Sequence, residues 1–260
     1  MSALLAFKLT LVPLFLLALS LAGRRWGTAA SGWLVALPVV AGPIVFFIGV
    51  EQGEAFAAGA ARATIAGLAS LSIFSLAYCR AAVLTGWAPS LLSGWAGFSL
   101  STYLLHRLPL TLPQSIALAL FALAGVYLLM PAVDPEASPP ATPPWEIAAR
   151  MAAAVAMVLL MTALARPLGP RLAGLLVPFP VAATVLAVFT HRYQGGASAV
   201  RLLRGLVAGL WTMGVFFLVV AGTVERLGVG ASFALATVAD LLCNGGSFWT
   251  LKRIRAARAS

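Results

Sequence analysis

Asp240 falls near the centre of the apolar run 228–250. An ionisable side chain at that depth in a bilayer costs at least about 2.5–3.5 kcal/mol, so its presence needs a reason. Asn244 follows one helical turn later, and Thr237 and Ser247 extend the same polar stripe. A carboxylate with an amide partner can bind a proton or a solute. It can equally tie its helix to a neighbour.

Two short segments form a second set. Glu51-Gln52-Gly53-Glu54 and Tyr193-Gln194-Gly195-Gly196 each end an apolar run. Gly allows a tight reversal there, and Gln offers both donors and an acceptor. Arg62 and Arg204 follow at matching distances. One reading makes these turns, with arginines that snorkel to the interface. The sharper one makes Glu51, Gln52, Glu54, Arg62, Gln194 and Arg204 gates, with Arg62 locked to Glu51 or Glu54. His191 is expected in a solvated loop.

Other chemistry is excluded by what is missing. The chain contains no G-x-S-x-G, no H-E-x-x-H, no P-loop and no paired Asp-rich motif, so an enzyme is not expected. Two histidines and two cysteines, Cys79 and Cys243 in apolar stretches, give no haem pair, zinc site or disulfide framework. No metal or other cofactor is expected. Net charge is +10, yet the basic residues punctuate apolar runs rather than forming a nucleic-acid-binding block.

The elements that must carry these residues follow from composition. Hydrophobic residues make up 62% of the 260, charged ones only 9%, and mean hydropathy is +1.00. Soluble domains carry roughly 25% charged residues. Too few charges exist to wet a soluble surface, so the bilayer is the expected partner. Runs long enough to cross it fall at about 3–22, 32–50, 62–84, 88–106, 113–131, 147–165, 172–190, 203–224 and 228–250. The first is read as a retained helix rather than a cleaved signal, because Lys8 interrupts it and Arg24-Arg25 follow. Pro38, Pro43, Pro178 and Pro180 should kink the second and seventh spans. Ser90, Ser93, Gly94, Gly97 and Ser101, and Gly205 with Gly209, predict close helix contacts. Six of the sixteen prolines fall in 131–146, which predicts an extended, solvated linker over 132–146. It separates a five-span part, 1–131, from a four-span part with a basic tail, 147–260.

The two parts are related. Shifting the chain by 142 residues aligns 32–68 with 174–210 without a gap, with 15 of 37 positions identical. Pro38/Pro180, Phe47/Phe189, Gln52-Gly53/Gln194-Gly195, Arg62/Arg204 and Gly67/Gly209 share one register, which apolar composition alone does not produce. The same register pairs Lys8 with Arg150 and leaves Asp240 opposite Phe98, so any site at Asp240 is asymmetric.

The offset contains five crossings, and an odd number inverts the second copy. The expected fold is therefore an all-α integral membrane protein of about nine spans in an inverted 5+4 repeat, the second half lacking a fifth helix. With the N-terminus outside and the C-terminus inside, eleven Lys and Arg lie on the cytoplasmic side (24, 25, 80, 150, 192, 201, 204, 252, 253, 255, 258) and six outside (8, 62, 107, 166, 171, 226). Fifteen Arg to two Lys, with abundant Ala, fits a GC-rich bacterial genome and hence an inner membrane. The stretch LGPRLAGLLVPFPVAATVLAVFTHRYQGG, 168–196, resembles a group of uncharacterised bacterial multi-pass inner-membrane proteins. The 5+4 plan resembles the drug/metabolite transporter type of inverted repeat. What that architecture implies is secondary transport or export of a small solute, with Asp240 as the residue that would couple it to protons. The alternative is a non-transporting scaffold, assembly factor or partner subunit. A homodimer is the protein partnership considered.

Overall fold

A computed structural model describes residues 3–134, 143, 145–160 and 179–257, with side chains at 3–9, 48 and 246–257 left aside. Among the described residues the regular structure is helical throughout. The order is α1 (Ala3–Trp26), α2 (Thr28–Val35), α3 (Ala41–Gln52), α4 (Glu54–Ala82), α5 (Trp87–His106), α6 (Leu112–Leu129), α7 (146–160), α8 (Val181–Gln194) and α9 (Gly196–Ala257). Non-helical Gly228 divides α9 into two arms, 196–227 and 229–257. The apolar run 32–50 is thus broken at 36–40, around Pro38, rather than merely kinked. Of its counterpart, 179–190 is described; α8 begins directly after Pro180.

Among the described residues three helices are long and apolar enough to cross a membrane: Glu54–Ala82, Leu112–Leu129 and the Gly196–Gly245 part of α9. Their outer faces carry large apolar side chains, with Phe121 80% and Leu128 82% exposed on α6 and Leu242 71% on α9. Exposed apolar groups on successive helices are what a lipid-facing surface requires. Most of the Pro-rich linker lies outside the described residues. Glu146, expected in that solvated segment, is instead 2% exposed and opens α7.

The helix junctions at Gly53 and Gly195 have nearly the same backbone, φ 95°, ψ 168° and φ 86°, ψ 168°. That region is essentially closed to residues with a Cβ. The two glycines are register equivalents, 142 residues apart, and each joins a short helix to a long one. The long helices α4 and the first arm of α9 pack antiparallel: Gly196 lies against Ala82 O, while Gly228 lies beside Glu54 Oε1 at the other end. The two glycine junctions therefore sit at opposite ends of this helix pair.

Glycines set how closely the helices approach. A Cβ at Gly32 would stand 1.8 Å from Leu202 O, one at Gly205 2.1 Å from Ala29 O, and one at Gly209 2.6 Å from Trp33 O. These are backbone atoms that cannot step aside, so α2 lies on the first arm of α9 only because those residues lack side chains. Gly94 and Gly97 bring α5 onto Phe74, Ile73 and Ala77 of α4. Both contacts are where the small-residue spacings placed them.

Candidate functional site

The α2–α3 break and the start of α8 meet at a cavity of about 170 Å³. Residues Val35, Leu37, Val40, Ala41 and Ile44 line it from the α2–α3 break, and Phe179, Pro180 and Val181 to Ala183 from the start of α8. Thr64, Gly67, Leu68 and Leu71 of α4 face Leu206 and Met213 of α9 across it, with α1 and α7 contributing Val12, Phe15 and Val158. Ten of these lining positions form five pairs 142 residues apart: Leu37/Phe179, Val40/Ala182, Ala41/Ala183, Thr64/Leu206 and Leu71/Met213. One cavity is walled by the same positions of both sequence copies.

Its wall offers little hydrogen bonding. Thr64 is the single polar side chain among the lining residues, and its hydroxyl donates to Ala60 O at 2.9 Å. Two helix N-termini reach the cavity, but Gly42 N donates to Pro38 O at 2.8 Å, Pro43 has no N–H, and Val181 N donates to Phe179 O at 2.8 Å. Those turns use donors that would otherwise face a ligand. The cavity is suited to a small, largely apolar molecule, being of a size with the engineered protein cavity of about 150 Å³ that holds benzene.

Asp240 and Asn244 are brought together but lie apart from this cavity. Asp240 is 3% and Asn244 7% exposed. Asn244 Nδ2 donates to Asp240 Oδ1 at 3.0 Å and to Asp240 O at 2.9 Å. The hydroxyl of Thr212, on the first arm of α9, donates to Gly209 O at 3.0 Å and stands close to the carboxyl. The pair thus sits between the two arms of one helix, on the buried stripe Ser232, Phe233, Ala236, Asp240, Asn244. Thr237 does not continue that stripe. It faces outward, its hydroxyl turned back on Phe233 O at 2.8 Å. Ser247's side chain lies outside those described.

The six gate candidates do not form a gate together. Glu51, Gln52, Glu54 and Arg62 are exposed. Arg62 makes no ion pair with Glu51 or Glu54, so the expected lock is absent among the described residues. Arg204 is not free at an interface either. It caps the end of α6, donating to Met130 O at 3.0 Å and Pro131 O at 3.3 Å, and its guanidinium lies 4.7 Å over the Tyr127 ring. Gln194 faces a small polar pocket, and its Oε1 finds no partner among the described residues.

That pocket holds a cluster the sequence reading missed. Glu146 accepts from Arg150 Nε at 2.8 Å, a second Arg150 nitrogen also bonds it, and Arg24 Nη2 approaches its other oxygen at 3.5 Å. Glu146 and Arg150 are both buried. Their i,i+4 spacing was the available signal. It was hidden because Glu146 also closes the Pro-rich segment. His191, expected in a solvated loop, is buried in the last turn of α8, its Nδ1 3.3 Å from Tyr78 Oη. At the same end Arg80 donates to Leu129 O at 2.8 Å and Arg201 to Asp134 O at 2.8 Å. The end near Gly195 is bound by buried charged contacts; at the end with Gly53 and Gly228 the described charged contact is the exposed Arg107, donating to Tyr103 Oη at 2.6 Å.

No protein-family model matches the chain, and neither a curated protein nor a solved structure is found similar to it.

Proposed function

We propose that the protein is a secondary transporter of a small, largely apolar solute, built as an inverted repeat in a bacterial inner membrane. The observation that carries this reading is the cavity walled by five register-equivalent pairs. A cavity shared by inverted copies sees the same wall from both sides, so exchanging the conformations of the two halves opens it to the opposite face without rebuilding the site. The irregular backbone at 36–40 beside the cavity supports the same reading, because such backbone is tolerated at membrane depth where it lines a cavity or is buried in protein. The nine-span count, the N-terminus outside and the kinship in plan to drug/metabolite transporters belong to this proposal.

Asp240 has a different role in this account. Enclosed by Asn244 and Thr212 and away from the cavity wall, it links the arms of α9 rather than carrying protons. That dry contact is also what a scaffold would display, and the two functions part at the cavity. A cysteine at Thr64 or at its equivalent Leu206, in a chain carrying Cys79→Ala and Cys243→Ser, tests this. In sealed vesicles a transporter lets an impermeant thiol reagent reach each position from both faces over time. Labelling from one face only, at both positions, would remove transport.

A further inference from the structure

A second cleft, of about 380 Å³, lies between α4, the end of α5 and the start of α6. Its size falls in the usual range for ligand pockets, about 300–1,000 Å³. Arg62 and His106 are exposed among its lining residues, and Ser70, Thr102 and Ser115 also line it. Ser70 is 1% exposed, and neither its Oγ nor Thr102 Oγ1 has a hydrogen-bond partner among the described residues. Leaving buried hydroxyls unpaired is costly, and native proteins rarely do so without a missing partner to account for it.

The other copy indicates the partner. Ser70 is the register equivalent of Thr212, and Thr102 of Asn244. In the second half Asn244 donates to the carboxylate of Asp240 at 3.0 Å, and Thr212 stands beside that carboxylate while donating to Gly209 O. In the first half Asp240 is replaced by Phe98, whose ring packs 5.6 Å from that of Phe179. The two polar positions remain and the carboxylate between them is gone. The exposed guanidinium of Arg62, in no ion pair among the described residues, stands in the same cleft.

We propose that this cleft binds a small organic carboxylate from solution, its oxygens accepting from Ser70 and Thr102. Arg62 supplies positive potential that draws the anion in. Gly67 lines both this cleft and the central cavity. Binding here does not depend on transport, so the site stands or falls separately from the function proposed above.

The test is a fluorine NMR titration of the full chain in zwitterionic nanodiscs, with 4-fluorobenzoate and 4-fluorobenzyl alcohol as charged and neutral probes of one shape, and with trifluoroacetate as a smaller anion. At least one carboxylate should bind, with 4-fluorobenzoate at least tenfold tighter than the alcohol. Ser70→Ala with Thr102→Val should bring the two aromatic probes to within about twofold, since only the hydroxyls distinguish the carboxylate at depth. Arg62→Gln should weaken the carboxylate about threefold and flatten its salt dependence. Both sets of substitutions remove groups without internal partners, so the protein should stay folded. Met213→Phe, in the central cavity, should leave carboxylate binding unchanged. Adding phosphatidylglycerol to the nanodiscs distinguishes a free anion from a lipid headgroup: unchanged affinity is expected, and competition by the lipid would overturn the proposal. So would the absence of carboxylate binding up to 10-millimolar order (roughly the weakest useful affinity), equal affinity for both aromatic probes, or loss of binding in Met213→Phe alone.

Discussion

The α4–α5 contact and the contact between the two arms of α9 occupy equivalent places in the two sequence copies, yet their polar chemistry differs. In α9, Asn244 donates to the Asp240 carboxyl, with Thr212 beside it. Between α4 and α5 the equivalents are Phe98, Thr102 and Ser70, and the two hydroxyls stand unpartnered beside a cleft. A shared backbone plan therefore leaves each copy free to spend its buried polar groups differently: one on holding itself together, the other on a cavity. Five equivalent pairs at the central cavity give the opposite case, in which position is kept and the chemistry stays apolar. Symmetry in this molecule is found in the apolar wall, and asymmetry in the charged and polar groups.

The sharpest way to break the comparison is at Gly67 and Gly209, which share a register but not an environment. Gly209→Leu drives a side chain into Trp33 O and should abolish folded protein in detergent extracts, a cost beyond the usual 1–3 kcal/mol (about) for overpacking. Gly67→Leu faces cavity space and should be recovered folded by size-exclusion chromatography. Equal loss of both would mean that Gly67 is packed rather than open.

Removing one partner of a buried ion pair comes next. Glu146→Gln leaves Arg150 buried without a counter-charge and should cost about 3–5 kcal/mol, read as a lowered thermal midpoint. No equivalent pair exists at the Gly53 end among the described residues, so Glu54→Gln should change the midpoint little. A comparable loss from Glu54→Gln would show the two ends to be alike.

Smaller effects separate the two polar contacts. Asp240→Leu takes the carboxyl acceptor from Asn244 and should cost about 1–3 kcal/mol, while Asp240→Asn, which keeps an acceptor oxygen there, should cost less than about 1 kcal/mol. Ser70→Ala removes a hydroxyl that has no partner and should leave stability unchanged or raised by less than about 1 kcal/mol. A midpoint lowered by Ser70→Ala as far as by Asp240→Leu would make the two contacts equivalent after all.

Much of the backbone plan was legible. Apolar runs marked the helices, Pro38 marked the break between α2 and α3, and the Gln-Gly pairs marked junctions that need a positive φ. Gly205 and Gly209 announced a close contact by their spacing. What stayed hidden was which face of each helix turns inward. In a lipid-facing helix both faces are apolar, so periodicity that would orient a soluble helix carries no signal. Thr237 was therefore placed on the wrong side of its helix, and the cavity pairs could not be picked out from other aligned residues. Glu146 and His191 were misjudged for a related reason. Polarity near a loop reads as exposure, whereas each is buried by a partner more than a hundred residues away, Arg24 and Tyr78.

The account rests on the second copy being inverted in the membrane. The direct measurement is sidedness of labelling at a register-equivalent, exposed pair beside the two glycine junctions: Val50→Cys and Arg192→Cys, made singly with Cys79→Ala and Cys243→Ser. These positions are preferable to the glycines themselves, whose backbone a cysteine would strain. In sealed, right-side-out vesicles, an impermeant maleimide should label Val50→Cys from outside and leave Arg192→Cys unlabelled until the vesicles are opened. Labelling of both from the same face would contradict the inversion, and with it the shared cavity as a transport site.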